Sequence, residues 1–193
     1  MDDPPTVTIL LLGDPTCGKS TFLSKLRRGA NPARHPTAPS PPLLRDLDQP
    51  FAWDISIYNR RYRFEFHDTA SPTHYTLLSP DFIILCYDIS DRRSLANVQH
   101  VWWKRVMQSY SRDRTDIPVM LLGLKRDLRK EEPGVIFPQE GLRVAQELRC
   151  DRYAECSAVT GELMDEVMED VARTAAKTTT QAGGLSDGGC GVM

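Results

Sequence analysis

Residues 13–20 read Gly-Asp-Pro-Thr-Cys-Gly-Lys-Ser, a full match to the phosphate-loop pattern G-x-x-x-x-G-K-[ST]. The apolar run at residues 7–12 predicts a buried parallel strand before the loop, and residues 18–28 show the apolar spacing of a helix after it. In such a setting, backbone N–H groups and the helix N-terminus cradle phosphate oxygens. The candidate phosphate-binding residues are Gly13, Asp14, Pro15, Thr16, Cys17, Gly18, Lys19, Ser20 and Thr21.

Individual side chains of this loop suggest distinct roles. Lys19 would bring a point charge to the β- and γ-phosphates, and Ser20 would offer its hydroxyl to Mg²⁺. Asp68 follows a predicted strand and would hold the same Mg²⁺ through water. Pro15 has no N–H to donate, so the loop can work only if that amide is not a phosphate contact. Cys17 adds its own N–H, and nothing in the sequence supports a redox role for its thiol.

The rest of the chain alternates strands with helices. Further strands are predicted at residues 51–58, 62–67, 82–87, 119–122 and 153–156, and further helices at residues 93–110, 139–148 and 162–177. The first two of these strands form an antiparallel pair around a turn at residues 59–61. The pattern predicts an α/β fold with a mostly parallel six-stranded sheet, helices on both faces and one antiparallel strand pair. Residues 31–50 hold six of the fourteen prolines and are predicted to be a long loop.

Composition narrows the possible functions. The chain has a net charge of −2, which gives no reason to expect nucleic-acid binding. Its first residues lack the apolar core of a signal peptide, and no apolar run is long enough to span a bilayer. The five cysteines show no zinc or disulfide spacing, so we expect reduced thiols and a cytoplasmic protein.

A second group of motifs points to the base of a nucleotide. Residues 121–127 read Leu-Leu-Gly-Leu-Lys-Arg-Asp, which resembles the N-K-x-D motif of small GTPases. By that resemblance, Asp127 accepts from N1–H and the 2-amino group of guanine, and Lys125 lays its stem along the ring. Residues 155–158 resemble the E-C-S-A motif, whose last N–H meets guanine O6. The candidate guanine-binding residues are Lys125, Asp127, Ser157 and Ala158.

The order of these motifs, from residue 13 to residue 158, resembles the Ras-superfamily small GTPases. Two features are similar to Rho proteins: the segment Ser-Leu-Ala-Asn-Val at residues 94–98 followed by Trp102, and the C-terminal tetrapeptide. The alternative for Trp102 and Trp103 is ordinary packing on a helix. The extra Rho helix is missing or truncated between residues 128 and 138, which makes the chain atypical. The resemblance implies the Ras-like P-loop fold, GTP or GDP as ligand, Mg²⁺ as cofactor, a domain at 1–177 and a flexible tail at 178–193.

The chain departs from the family where hydrolysis occurs. The family's D-T-A-G-Q is Asp-Thr-Ala-Ser-Pro at residues 68–72. Ser71 is stiffer than the family's glycine, and Pro72 replaces the glutamine that orients the attacking water. No catalytic residue is therefore intact, and we expect very slow GTP hydrolysis. In the alternative, another residue such as His74 positions the water.

The nucleotide contacts also differ from the family pattern. Thr37 is the candidate that reaches Mg²⁺ and the γ-phosphate. No aromatic residue lies between residues 27 and 40 to pack on guanine, Leu124 replaces the motif's asparagine, and Val159 replaces a frequent lysine. We therefore expect weaker binding and faster exchange than in typical family members.

The last four residues, Cys-Gly-Val-Met at 190–193, match a C-a-a-X box, which predicts farnesylation of Cys190. No second basic or cysteine signal accompanies it, so one prenyl group would give reversible membrane association. The segment Pro-Ser-Pro-Pro at 39–42 is either a ligand for a proline-binding domain or a stiffened loop.

Two functions remain from the sequence. The first is a GTP/GDP molecular switch, with effector and regulator proteins binding through residues 31–50 and 69–80. The second is a pseudo-GTPase, a nucleotide-bound module that does not cycle and acts as a membrane-recruited scaffold. An ATPase or kinase is disfavoured by Lys125, Asp127 and the Ser-Ala motif.

Overall fold

A computed structural model describes residues 4–29, 49–57, 60–68, 72–110, 117–130 and 134–182 of the chain. Its strands are β1 (Thr6–Gly13), β2 (Phe51–Ile57), β3 (Arg60–Asp68), β4 (Phe82–Asp88), β5 (Val119–Leu124) and β6 (Arg152–Glu155). Its α-helices are α1 (Lys19–Gly29), α2 (Pro72–Tyr75), α3 (Arg92–Asn97), α4 (Trp103–Tyr110), α5 (Pro138–Glu147) and α6 (Met164–Ala182).

The six strands form one sheet in the order β2-β3-β1-β4-β5-β6. Only β2 and β3 run antiparallel to each other, and the remaining neighbours are parallel. The predicted fold class, including the single antiparallel pair, is therefore confirmed. Strand β1 lies between β3 and β4, so β2 and β3 are on one side of it and β4, β5 and β6 are on the other. In sheets of this type, ligands bind where the strand order reverses, beyond the carboxyl ends of the strands.

Two apolar cores lie on opposite faces of the sheet. Ile9 and Leu11 belong to a core shared with α1 and α6, whereas Leu10 and Leu12 belong to a core shared with α3, α4 and α5. This division follows from the strand itself, because successive side chains of a strand point to opposite faces. Burial on both faces explains why β1, β4 and β5 have continuous apolar sequences.

The helix predicted at residues 93–110 is interrupted. A turn of π-helix, Val98–Trp102, separates α3 from α4, and we call the whole of residues 92–110 the interrupted helix. It begins at Arg92, one residue before the predicted start, and Asp91 is the N-cap and accepts a hydrogen bond from the Arg93 amide. Sequence periodicity alone did not indicate the π-turn.

Three other boundaries differ from the prediction. Strand β3 begins at Arg60, so Arg60 and Arg61 pair with β2 instead of forming the turn. Helix α2 was not predicted, because it is a single turn. Helix α6 continues past Lys177 to Ala182, five residues into the segment predicted as a flexible tail. Among the described residues, no helix has the length and apolar content required to cross a membrane.

Candidate functional site

The phosphate loop begins where the backbones of β1 and β4 approach each other very closely. A β-carbon on Gly13 would lie 2.3 Å from the carbonyl oxygen of Cys86 on β4, so only glycine fits there. Two further residues have positive φ, Thr16 at 67° and Gly18 at 112°. For a β-branched residue such as Thr16 this conformation is strained, and strain of this kind concentrates at functional sites. The loop is thus held in a shape that its own sequence does not favour locally.

The side chain of Lys19 lies folded back inside the loop. It is only 6% exposed, and its Nζ donates to the carbonyl oxygens of Gly13 at 3.0 Å and Asp14 at 2.9 Å. These two bonds pin the ammonium group at the mouth of the turn. A lysine fixed there presents a positive charge to an anion lying on the loop.

Ser20 and Asp68 meet beside this lysine. The Ser20 hydroxyl donates to Oδ2 of Asp68 at 2.7 Å, and Oδ1 of Asp68 lies 3.9 Å from the Lys19 Nζ. A hydroxyl and a carboxylate this close match the oxygen donors that Mg²⁺ prefers. Within the described ranges, no group of three or more His, Cys, Asp or Glu side chains is arranged to hold a metal ion, and Mg²⁺ bound to phosphates needs only one or two protein ligands. The residues present therefore fit a phosphate-bound Mg²⁺.

Gln49 binds the backbone of Asp68 from the other side, a contact that no sequence motif predicts. The Asp68 amide donates to Oε1 of Gln49 at 3.0 Å, and the Gln49 amide donates to the Asp68 carbonyl at 2.5 Å. This pair of bonds ties the end of β3 to the residue that leads into β2. Gln49 therefore helps to orient the carboxylate beside Ser20.

The candidate base motif packs directly against the phosphate loop. A β-carbon on Gly18 would lie 3.5 Å from the Lys125 side chain and 3.6 Å from that of Leu124. Leu124 is buried, so at the position of the family's asparagine it fills space rather than offering an amide. Lys125 has φ 60°, and its Nζ forms an ion pair with Asp88 at 2.7 Å. Asp88, at the end of β4, was not identified from the sequence.

Asp127 and the loop after β6 are joined by hydrogen bonds. The hydroxyl of Ser157 donates to Oδ1 of Asp127, and the Arg126 amide donates to the carbonyl of Cys156 at 3.1 Å. Ser157 is fully buried, so this partner of Asp127 is well fixed. Two of the predicted base-binding residues, Asp127 and Ser157, therefore lie together. Ala158 packs on the core next to them.

A buried ion pair supports this part of the site from beneath. Both oxygens of Glu155 accept from Arg129, each at 2.6 Å, and the Tyr153 hydroxyl also donates to Glu155. The hydrogen bonds that Arg129 donates to Glu155 raise the pKa of Arg129, while burial raises the pKa of Tyr153. Because Glu155 directly precedes the Cys-Ser-Ala segment, the pair ties the base motif to β6.

The thiol of Cys17 has the character of a packing group. It is 2% exposed, and burial raises its pKa above the ordinary value, an effect that outweighs the lowering by Lys19. A raised pKa leaves little thiolate at neutral pH, and the thiolate is the reactive form. The structure therefore gives no support for a redox role at this position.

Several of the predicted residues lie outside the described parts of the chain or at their ends. Thr37, Ser71 and Cys190 lie outside the described residues. Pro72 is the first residue of α2, a position that suits proline because its missing N–H would be unpaired there. Pro15 and Thr21 are exposed.

The turn, its buried lysine and the serine–aspartate pair define a phosphate-binding α/β protein. Comparison with known sequences gives its family: a model of the Ras family matches residues 8–177. The chain belongs to the Ras family.

Several similar proteins are Rho proteins. The chain is 29% identical to the Ras-like GTP-binding protein RhoL of Drosophila melanogaster, over 88% of this chain and 87% of the relative. It is 28% identical to the GTP-binding protein RHO2 of Saccharomyces cerevisiae, over 86% and 87%. It is 26% identical to the Rho-related GTP-binding protein RhoF of Homo sapiens, over 90% and 84%. The predicted resemblance to Rho-like small GTPases is therefore confirmed.

Strain at Thr16 yields a testable prediction. Replacing Thr16 by glycine removes the β-carbon from a left-handed position, and we expect the free energy of unfolding to rise by about 0.5–1 kcal/mol. Thr16→Ala is the matched control, because alanine keeps the β-carbon and with it most of the strain. Urea unfolding of both variants with no ligand added measures the difference. A glycine variant less stable than the alanine variant would show that Thr16 is not strained.

Proposed function

We propose that this chain binds guanine nucleotide with Mg²⁺ and acts as a GTP/GDP switch in small-GTPase signalling, with slow hydrolysis. One observation carries the proposal. Gly18 of the phosphate loop packs against Lys125 of the base motif. A single nucleotide could therefore reach the loop with its phosphates and Asp127 with its base.

On the phosphate side, the described residues would divide the work. Lys19 is already oriented at the mouth of the turn by two carbonyl groups, so little reorganisation is needed to meet the β- and γ-phosphates. Ser20 and Asp68 would hold Mg²⁺, with Asp68 acting through water, and Thr37 would complete this set. Bound there, Mg²⁺ would neutralise part of the phosphate charge.

On the base side, the proposal rests on Asp127. Its carboxylate accepts from the Ser157 hydroxyl, which leaves acceptor capacity on its other oxygen for the N1–H and 2-amino group of guanine. Adenine lacks this pair of donors. The ion pair with Asp88 would hold the Lys125 stem in place along the ring. Because Leu124 offers no amide, we expect weaker binding and faster exchange than in typical family members.

Slow hydrolysis follows from Pro72. Its ring has no hydrogen-bonding group, so the step in which a glutamine orients water has no counterpart at this position. His74, the alternative water-positioning residue, lies on α2 with its side chain exposed. Residual hydrolysis would therefore depend on phosphate positioning by Lys19 and Mg²⁺ alone.

The second candidate function is a pseudo-GTPase that stays nucleotide-bound and serves as a membrane-recruited scaffold. Pro72 favours it, whereas the complete set of Lys19, Ser20, Asp68 and Asp127 is compatible with either function. Measured exchange separates the two: a switch exchanges GDP for GTP, whereas a static module retains what it first bound.

Partners and location extend the same proposal. Effector and regulator proteins would bind through residues 31–50 and 69–80. A single prenyl group on Cys190 would give a cytoplasmic protein that associates reversibly with membranes.

Base selection can be tested by replacing the Asp127 carboxylate with an amide. Replacing Asp127 by asparagine turns one acceptor into a donor, which suits the 2-carbonyl of xanthine and opposes the 2-amino group of guanine. We expect Asp127→Asn to lose about tenfold or more in GDP affinity and to gain affinity for xanthosine diphosphate. Titration with fluorescent nucleotides measures both, and Asp165→Asn on α6 is the matched control. Unchanged GDP affinity in Asp127→Asn would contradict the assigned base site.

Hydrolysis is tested in a single turnover. We expect the wild-type protein, loaded with GTP and Mg²⁺, to convert GTP to GDP far more slowly than a Rho protein with an intact glutamine. Both proteins are measured side by side by chromatography of the nucleotide. His74→Ala should leave the rate unchanged. A wild-type rate equal to that of the reference protein would refute slow hydrolysis, and a loss of activity in His74→Ala would identify the alternative water-positioning residue.

A further inference from the structure

The second residue of the phosphate loop, Asp14, has its carboxylate fully engaged by the interrupted helix. Oδ1 accepts from the indole N–H of Trp102 at 2.7 Å, and Oδ2 accepts from the side-chain amide of Asn97 at 2.7 Å. Both donors lie more than eighty positions further along the chain. Asn97 and Trp102 belong to the Rho-like segment that the nucleotide contacts leave unused.

The π-turn explains how one helix supplies both donors. Asn97 and Trp102 are five residues apart, and in a regular α-helix that spacing separates side chains by about 140° around the axis. The π-turn Val98–Trp102 takes more residues per turn, so the two donors come to the same side. A π-turn of this kind is often found at functional sites.

The surroundings of Trp102 fix the direction of its indole N–H. Trp102 is 5% exposed, and the guanidinium of Arg105 lies 4.7 Å from the centre of its ring. Such a packed indole has few orientations, so its N–H stays aimed at Asp14. On the loop side, Pro15 restricts the backbone of Asp14 to extended conformations. Both partners of the contact are therefore restrained before any ligand binds.

The position of Asp14 makes this contact electrostatically important. Its backbone carbonyl accepts from the Lys19 Nζ at 2.9 Å, so this residue borders the place where the phosphates would lie. A free carboxylate there would repel phosphate, because like charges separated by a few ångströms interact strongly at a partly buried site. Hydrogen bonds to both oxygens hold the charge against the helix instead.

We propose that Asn97 and Trp102 are positioning residues for nucleotide binding, which keep the Asp14 carboxylate turned away from the phosphates and so lengthen the time that nucleotide stays bound. This inference rests on the proposed guanine-nucleotide site. Asn97 and Trp102 would then help to retain the ligand as well as pack the helix.

The test compares GDP dissociation from matched variants, measured by displacement of fluorescent GDP with excess GDP in Mg²⁺. Trp102→Phe keeps an aromatic ring but removes the N–H, and we expect dissociation about tenfold faster. Trp103→Phe, the adjacent tryptophan with no bond to Asp14, should dissociate GDP at the wild-type rate. Asn97→Ala removes the other donor from a less buried position, and it should also accelerate dissociation even if Trp102→Phe does not fold.

A rescue variant separates positioning from packing. In the Asn97→Ala background, Asp14→Asn removes the negative charge that the helix restrains, so GDP dissociation should slow again toward the wild-type rate. A purely structural role for Asn97 predicts no such rescue. If the wild-type protein binds GDP, two results would overturn this inference alone. One is unaltered GDP dissociation in Asn97→Ala, and the other is no rescue by Asp14→Asn. Absence of GDP binding by the wild-type protein overturns the proposed function itself.

Discussion

The close approach of Gly13 to the Cys86 carbonyl is the constraint on which the site depends. Because no β-carbon fits between β1 and β4 at that point, the chain can turn immediately at the end of β1 and begin α1 six residues later, at Lys19. The turn places the Lys19 ammonium under two carbonyl groups and brings Ser20 to Asp68 at the end of β3. A wider turn would separate these groups, and each would lose its partner.

Interactions among charged groups connect this turn to the rest of the sheet. Asp88 at the end of β4 pairs with Lys125 after β5, and Glu155 at the end of β6 pairs with Arg129. Each acidic group lies at the carboxyl end of a parallel strand and meets a basic group from a neighbouring connection. Breaking either pair would leave an uncompensated charge, and the loss of stability would grow with the burial of that charge. The carboxyl ends of β4, β5 and β6 are therefore held in one arrangement.

Much of this arrangement could be predicted from the sequence, and the reason is local. Short-range spacing determines the phosphate-loop pattern, the strand before it and the alternation of later elements. The six-stranded sheet and the position of Lys19 and Ser20 after β1 could therefore be predicted directly. The contacts of Gln49 with Asp68, and of Asp88 with Lys125, join residues distant in sequence, and neither aspartate nor glutamine carries a pattern that marks its partner. The π-turn could not be predicted either, because a single extra residue in a helix leaves the apolar periodicity nearly unchanged.

The departures from the family pattern have a common physical sense. Leu124 and Pro72 each replace a hydrogen-bonding side chain with an apolar one, while the groups that would bind phosphate and Mg²⁺ keep their partners. Under the proposed function, such a chain would still bind a nucleotide but would hydrolyse it slowly. Its function would then depend more on which nucleotide it holds, and for how long, than on turnover.

The central claim is that Asp127 selects guanine for a phosphate loop that would by itself accept any nucleotide. The most direct measurement is competition: the purified chain is incubated with equal concentrations of GDP and ADP in Mg²⁺, desalted rapidly, and the retained nucleotide is identified by anion-exchange chromatography. We expect GDP to be retained in clear excess over ADP. Equal retention of the two nucleotides, or an excess of ADP, would contradict it.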